Sequence, residues 1–221
     1  GTPGWSVEGL GVDMESRGTS YGRQHGAFHE MVVRTAVLEQ RFDPIDRVSG
    51  QTPIWPGPLR DYIYGSLFND YLARTYGRQA QGEIVRKTAG SIIPPTLAKN
   101  RDGKRALGTS FTDAYNGWRA ELQTRYTALA DSLRRQGLTP TQLIAGGRYA
   151  HYPRVSADGT RLSFAEQTGH DVTMTHVIEL PSGRTLWRER RNGLGPSDFL
   201  PDNTLVTSQY DFVNPYVLRN D

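Results

Sequence analysis

The sequence predicts an α+β protein in which a mainly helical domain, residues 1–148, precedes antiparallel β-strands in residues 149–221. Before residue 148, apolar residues recur at spacings of three and four, which is typical of amphipathic helices. After it, short runs of β-branched and aromatic residues alternate with turn residues, which is typical of strands. Hydrophobic residues make up 36% of the chain and charged residues 22%, a composition typical of a globular protein.

Three helices are predicted in the first half of the helical domain. Residues 7–15 are predicted to form a short helix. Residues 24–40 are predicted to form a second helix, with Phe28, Met31, Val32 and Leu38 spaced for one buried side. The Pro- and Gly-rich residues 52–58 are predicted to form a loop. Residues 60–76 then form a Tyr-rich helix that ends before Gly77.

The strongest helix prediction covers residues 110–136. Ser110 is placed as the N-cap, with Asp113 three residues later in the capping-box position. Gly137 is placed for the C-terminal cap, and Pro140 prevents the helix from continuing. Seven apolar residues at spacings of four and three predict one buried stripe: Phe111, Tyr115, Trp118, Leu122, Tyr126, Leu129 and Leu133.

The strand region contains a repeat. Residues 161–165 and 172–178 read as strands, and residues 181–183 read as the turn of a hairpin. Asp158 and Asp202 begin two similar turn sequences, 44 residues apart. A repeat of this length, with about four strands in each copy, indicates the blades of a β-propeller.

Composition excludes several classes of function. The formal charge is +3 and no long basic run is present, so we expect no nucleic-acid partner. The apolar runs are too short for a membrane span, so none is expected. The chain has no cysteine and therefore no disulfide or thiolate metal ligand.

Residues 5–10 read W-x-x-E-G-L, with Glu8 as the acidic residue. Zinc peptidases use such a segment to add a carboxylate to a metal held by an H-E-x-x-H helix. H-E-x-x-H does not occur in these 221 residues. The two histidines His25 and His29 have the spacing of a metal-binding pair, but no Glu lies between them, and we expect no metal there. Three more histidines lie in the strand region without ligand spacing: His151, His170 and His176.

Three segments in this order resemble the C-terminal part of a gluzincin, the peptidase-MA-like domain that precedes TolB-like propellers in bacteria. They are residues 5–10, the W-P-G of residues 55–57 leading into Y-x-x-G at residues 62–65, and residues 106–108 before the helix of Trp118. Residues 152–165 resemble the Y-P-R-V-S-P-D-G signature of TolB-like blades, with Ala157 in place of the usual Pro.

The resemblance implies a parent zinc metallopeptidase that hydrolyses peptide bonds with a metal-activated water. It implies that Glu8 is the third zinc ligand and that the Tyr62 hydroxyl donates to the developing oxyanion. On the residues alone, Glu8 can equally be an exposed carboxylate at a helix start, and Tyr62 can be a packing residue, with Tyr64 as the nearest substitute. Asp13 lies five residues after Glu8, one more than a helical turn requires, and we expect it to be structural.

The resemblance also implies a periplasmic or secreted protein with a peptide or protein substrate and a protein partner bound through the propeller. Zinc would be bound by the parent and not by this chain alone, which would be inactive. One alternative is a non-catalytic periplasmic interaction module with a degenerate peptidase domain. A structural helical domain with a β extension is another.

Overall fold

The chain is α+β, as predicted, and its elements fall into two units. The computed structural model describes residues 3–50, 52, 55–89, 95–146, 149–191 and 195–208, without the side chains of 88–89 and 95–99. Contacts along the chain separate Gly1–Leu138 from Thr139–Asp221. The helices are α1 (Gly4–Gly18), α2 (Ala27–Leu38), α3 (Arg60–Tyr76), α4 (Arg78–Ala89), α5 (Pro95–Leu107) and α6 (Phe111–Gln136). The strands are β1 (Tyr149–Val155), β2 (Arg161–Gln167), β3 (Met174–Glu179), β4 (Thr185–Arg190), β5 (Ser197–Phe199) and β6 (Leu205–Thr207).

Two of the helix predictions are confirmed in detail. Helix α3 has the predicted bounds, and Gly77 after it has a φ of +86°, a conformation that favours glycine. Ser110 caps α6 by accepting a hydrogen bond from the Asp113 N–H at 3.0 Å. Gly137 ends α6 with a φ of +90° and donates to the Arg134 carbonyl.

Other predictions are corrected. Helix α1 extends beyond residues 7–15 at both ends, and α2 is Ala27–Leu38 rather than 24–40. On the side of α2 predicted to be buried, Val32 is buried, but Phe28, Met31 and Leu38 are exposed. The buried stripe of α6 ends at Tyr126, because Leu129 and Leu133 are exposed. Two residues of the predicted loop, Pro53 and Ile54, lie outside the described residues.

Helices α4 and α5 are absent from the sequence prediction. Their segment is polar, and α4 buries few side chains, among them Ala80 and Ile84, so the hydrophobic period is weak. Each helix also contains an internal glycine, Gly82 and Gly103, which lowers the helix propensity.

The helical unit depends on a close crossing of α1 and α3. A methyl group on Gly9 would overlap the backbone of Gly65, and one on Gly65 would overlap the Trp5 carbonyl oxygen. The two backbones can therefore approach only because both positions lack a Cβ. Asn69 bridges the crossing by donating to the Gly65 and Trp5 carbonyls, at 2.8 and 3.4 Å.

An aromatic core lies beside this crossing. The Trp5 ring packs edge-on against Phe68 and Phe111, with centroids 5.2 and 5.4 Å apart. Phe42 packs in the same way against Trp118, at 5.4 Å. Edge-to-face pairs of this kind contribute beyond their buried area, so Trp5 is fixed as a core residue and not as part of a site.

The strand unit contains a four-stranded antiparallel meander in the order β1-β2-β3-β4. Buried side chains lie on both faces of this sheet, since Phe164 on β2 lies opposite His176 on β3, whereas Val177 lies opposite Ser163 on the other face. The predicted turn at residues 181–183 joins β3 to β4, where Gly183 has a φ of +73°. The predicted strand at residues 172–178 begins two residues late, at Met174, and ends at Glu179.

Strands β5 and β6 form a second hairpin that repeats the β1-β2 turn. In the first turn Asp158 accepts from the Thr160 N–H at 3.0 Å, and in the second Asp202 accepts from the Thr204 N–H at 2.9 Å. Gly159 and Asn203 hold the matching positions with φ of +73° and +65°. Hydrogen bonds from Ser156 and Thr160 lower the pKa of Asp158 to about 2.

The two turns also contact each other. The Asn203 amide donates to Asp158 Oδ2 at 3.0 Å, and the Asp158 N–H donates to Asn203 Oδ1 at 3.3 Å. The internal repeat seen in the sequence is therefore a repeat in structure, over the described residues.

Among the described residues, no helix has both the length and the apolar character needed to cross a bilayer.

We expect Gly9→Ala and Gly65→Ala each to lower the free energy of unfolding of the helical unit by several kcal/mol, because each added methyl meets backbone that must move. The matched control is Gly11→Ala on the same helix, where nothing lies within 4 Å of the added methyl. That control should stabilise the unit by roughly 0.5–1 kcal/mol. Urea unfolding measures all three, and equal effects at positions 9 and 11 would contradict the close crossing.

Candidate functional site

The two residues predicted for the active site lie together. Glu8 is exposed on α1, one residue before the crossing glycine Gly9, and Tyr62 is half-buried on α3, three residues before Gly65. The close approach of the two helices therefore sets the separation of these two side chains. The sequence predicted both residues without evidence that they would meet.

The Glu8 carboxylate acts on the Tyr62 hydroxyl as a hydrogen-bond acceptor and as a negative charge, and both effects raise the pKa of Tyr62. Because its pKa is raised, Tyr62 is a neutral phenol at physiological pH, and its hydroxyl carries a proton that it can donate.

Arg23 holds the other side of Tyr62. It precedes α2 in a short 3₁₀ turn, Arg23–His25, and its guanidinium lies 5.4 Å from the centre of the Tyr62 ring. Its Nε and Nη2 donate to Glu15 Oε2 at 3.1 and 2.8 Å, and its backbone N–H donates to Glu15 Oε1 at 3.2 Å. Arg23 therefore stacks on the tyrosine while Glu15 balances its charge.

A cleft of about 530 Å³ opens beside Tyr62. It is formed by the 3₁₀ turn, the start of α2 and the start of α3. Its wall includes Tyr21, Arg23, Phe28, His29, Leu59 and Tyr62. Three of these are exposed apolar or aromatic side chains, so the cleft presents an apolar surface next to the Glu8–Tyr62 pair.

His29 lies buried in the wall of this cleft. Its Nδ1 is 3.2 Å from Ser66 Oγ, and Ser66 in turn donates its hydroxyl proton to the Ile63 carbonyl at 3.2 Å. Ser66 must therefore accept from His29, which assigns the proton to Nδ1 and leaves Nε2 as an acceptor. Burial, followed by the charge of Arg23, lowers the pKa of His29, so the ring is neutral at pH 7.

His25 and His29 do not share one helical face. His25 lies in the 3₁₀ turn, outside α2, and its Nε2 contacts the Ser16 and Thr19 carbonyls at 2.6 and 3.2 Å. A ring nitrogen between two carbonyl oxygens carries the proton and cannot ligate a metal. The spacing resembled a metal pair only under the assumption of one continuous helix.

Asp13 has the structural role expected for it. It is fully buried and accepts from Gln81 at 2.9 Å, pairs with Arg17 at 3.0 Å, and contacts Gln24 at 3.5 Å. Burial raises the pKa of Asp13, and the hydrogen bond from Gln81 and the charge of Arg17 oppose that rise. The network ties α1 to α4 and to the 3₁₀ turn.

A second cavity in the helical unit, about 680 Å³, lies on another side of α3 and includes Arg60 and Tyr64. The Arg60 Nε pairs with the Asp43 carboxylate at 3.3 Å. Burial raises the pKa of Tyr64 to about 12. Tyr64 is nearly fully buried in the core cluster, so it does not replace Tyr62 beside Glu8.

The described residues contain no group of three or more His, Asp or Glu side chains placed to hold a metal ion. Of the two predicted site residues, Glu8 fits a metal-ligand role, since its carboxylate is exposed and forms no ion pair with the described residues. A tetrahedral zinc site needs further protein ligands, typically two more. The described residues therefore supply one candidate zinc ligand, the Glu8 carboxylate, which is too few to hold zinc.

Comparison of the chain with models of protein families, with curated proteins and with solved structures finds no match in any of the three.

Sequence reasoning did not identify Arg23 or His29 as part of this site. Arg23 is one of many arginines, and nothing in its local sequence shows that it stacks on Tyr62. In the sequence, His29 stands out only through its spacing from His25, which is that of a metal-binding pair. Its contact with Ser66 joins residues 37 positions apart, which no local pattern reveals.

We expect Asp13→Ala to lower the free energy of unfolding by about 3 kcal/mol, because it leaves Gln81 and Arg17 without their buried partner. The control is Asp131→Ala, which removes an exposed ion pair with Arg134 and should cost at most about 1 kcal/mol. Urea unfolding gives both values. Equal costs for the two variants would show that the buried network is not formed.

We expect the helical unit to lose stability as the pH falls below about 6.5, the unfolded pKa of histidine. His29 has a lower pKa in the folded state, so the unfolded chain binds the extra proton first, and stability rises with pH across this range. The charged groups that act on it are Arg23 and Glu15. Urea midpoints between pH 5 and 8 should show a shallower dependence in His29→Gln, and identical profiles would contradict a buried neutral ring.

Proposed function

We propose that this chain carries part of the active site of a zinc metallopeptidase, joined to a TolB-like propeller. The observation that carries the proposal is the meeting of Glu8 and Tyr62 on an accessible face of two paired helices. The sequence resemblance gives these two residues complementary roles, as metal ligand and oxyanion donor, and such roles require neighbouring side chains.

Glu8 would hold the zinc as its carboxylate ligand, with two histidines from a part of the parent protein beyond these residues. Its exposure on α1 supports this role, because a ligand must reach a metal bound outside its own helix. Zinc, when bound, supplies a Lewis acid and lowers the pKa of its water to about 7.

Tyr62 would donate its hydroxyl hydrogen bond to the carbonyl oxygen of the peptide as negative charge develops there. Its raised pKa keeps the proton on the phenol, which a donor requires. Arg23 positions the ring by stacking on it, and the hydroxyl would turn from Glu8 to the substrate carbonyl. A donor placed in this way contributes about 3 kcal/mol to transition-state stabilisation.

For the strand unit we propose the first blades of the propeller, which would bind a protein partner. The four-stranded meander β1-β4 has the strand number and order of a propeller blade. The second hairpin, β5-β6, begins the same pattern again after 44 residues, with matching turn contacts at Asp158 and Asp202. The periplasmic or secreted location belongs to the same proposal and depends on the family resemblance.

The test uses the full-length parent protein, with zinc affinity and peptide hydrolysis as separate measurements. We expect Glu8→Ala to weaken zinc binding by at least about 100-fold, since even residues that only orient metal ligands cost 10–100-fold. We expect Tyr62→Phe to keep the zinc and to lower kcat by about 10²–10³.

Two matched controls separate these effects from general damage. Glu39→Ala removes an exposed carboxylate at the end of α2, and Tyr76→Phe removes a hydroxyl at the far end of α3. Both should leave zinc affinity and kcat unchanged. Unchanged zinc affinity in Glu8→Ala would remove Glu8 from the site, and a parent without zinc or hydrolysis would favour the non-catalytic interaction module.

A further inference from the structure

Exposed apolar and aromatic side chains line the cleft beside Tyr62. Tyr21 is 94% exposed, and Phe28 and Leu59 are each 41% exposed. All three line the same cleft as Tyr62 and the buried ring of His29. A ligand with a large apolar side chain would remove this apolar surface from water, which favours binding.

Besides the hydroxyls of Ser20, Tyr21 and Tyr62, the described side chains that line the cleft include one arginine and two histidines. The Arg23 charge is balanced by Glu15, to which its guanidinium donates two hydrogen bonds. The His25 Nε2 is hydrogen-bonded to the Ser16 and Thr19 carbonyls and is therefore not available to a ligand. His29 differs, because its hydrogen bond to Ser66 uses Nδ1 and leaves Nε2 as an acceptor. The cleft therefore fits a neutral ligand that carries a hydrogen-bond donor beside an apolar group.

We propose that His29 is a substrate-binding residue whose Nε2 accepts a hydrogen bond from a backbone N–H of a peptide. The aromatic or large aliphatic side chain of that peptide packs against Tyr21, Phe28 and Leu59. This inference rests on the proposed function, because Tyr62 forms the wall shared by the cleft and the Glu8 site. His29 selects and orients the peptide, and it takes no part in bond cleavage.

The experiment measures ligand binding to the 221-residue chain by NMR titration without zinc. The probe is N-acetyl-phenylalanine methylamide. The comparison ligands are N-acetyl-aspartate methylamide, which is charged, and the N-methylated phenylalanine dimethylamide, which lacks both backbone donors. We expect the aspartate and the N-methylated ligands each to bind about tenfold more weakly than the probe, as the loss of one buried hydrogen bond or of apolar contact implies.

Variants locate the contacts. His29→Leu should bind the probe and the N-methylated ligand equally, whereas His29→Gln, which keeps an acceptor, should retain part of the difference. Phe28 is exposed, so Phe28→Ala should leave the fold intact and weaken binding of the probe. The control Leu133→Ala, at an exposed position on α6, should leave binding of the probe unchanged. Should His29→Leu fail to fold, the N-methylated ligand on the natural chain tests the same hydrogen bond.

Equal binding of the three ligands to the natural chain would overturn the proposal, as would full discrimination in His29→Leu. Because no zinc is present, either result leaves the zinc-affinity test of Glu8 unaffected. Conversely, a parent without zinc would overturn the proposed function while leaving peptide binding by His29 measurable.

Discussion

The helical unit depends on the contact between two glycines. Where α1 crosses α3, Gly9 and Gly65 allow the two backbones to approach more closely than any residue with a Cβ would permit. That approach places Trp5 against Phe68 and Phe111, and it lets Asn69 reach carbonyls on both helices. It also fixes the distance between the neighbouring side chains on the two helices. The site beside the crossing is thus a consequence of backbone contact rather than of any attraction between Glu8 and Tyr62.

A second tight contact brings the remaining site residues to the same place. Gly22 packs against Ser16 of α1 so closely that an added methyl would overlap it, and the 3₁₀ turn that follows carries Arg23. Ser16 also accepts from the Gln24 N–H at 3.1 Å. Gln24 and Asp13 extend this contact into the buried network. Packing and polar contacts therefore hold Arg23 over Tyr62 from one side, while the glycine crossing holds Tyr62 from the other.

Local patterns predicted the parts of the fold that local interactions determine. The Ser110 cap, the Gly77 and Gly137 stops and the repeated turns at Asp158 and Asp202 are each set by a few neighbouring residues, and all are found where the sequence indicated. Helices α4 and α5 were missed because their stability comes from contacts with other helices rather than from a strong apolar stripe. Glu8 and Tyr62 could be named from motifs, but their proximity could not. The roles of Arg23 and His29 depend on contacts with Tyr62 and Ser66, which are distant in sequence.

Some residues of the two peptidase-like motifs have a role in packing the helices, and the others do not. In W-x-x-E-G-L, Trp5 belongs to the core and Gly9 to the crossing, and in Y-x-x-G, Gly65 completes the crossing. A helical pair with this geometry needs the two glycines and a large apolar residue at position 5, whatever its function. Packing makes no such demand of Glu8, which is exposed, or of the Tyr62 hydroxyl, which supports no core contact. These two are the motif residues left available for chemistry, and the close crossing holds them side by side on a rigid support, as a catalytic arrangement requires.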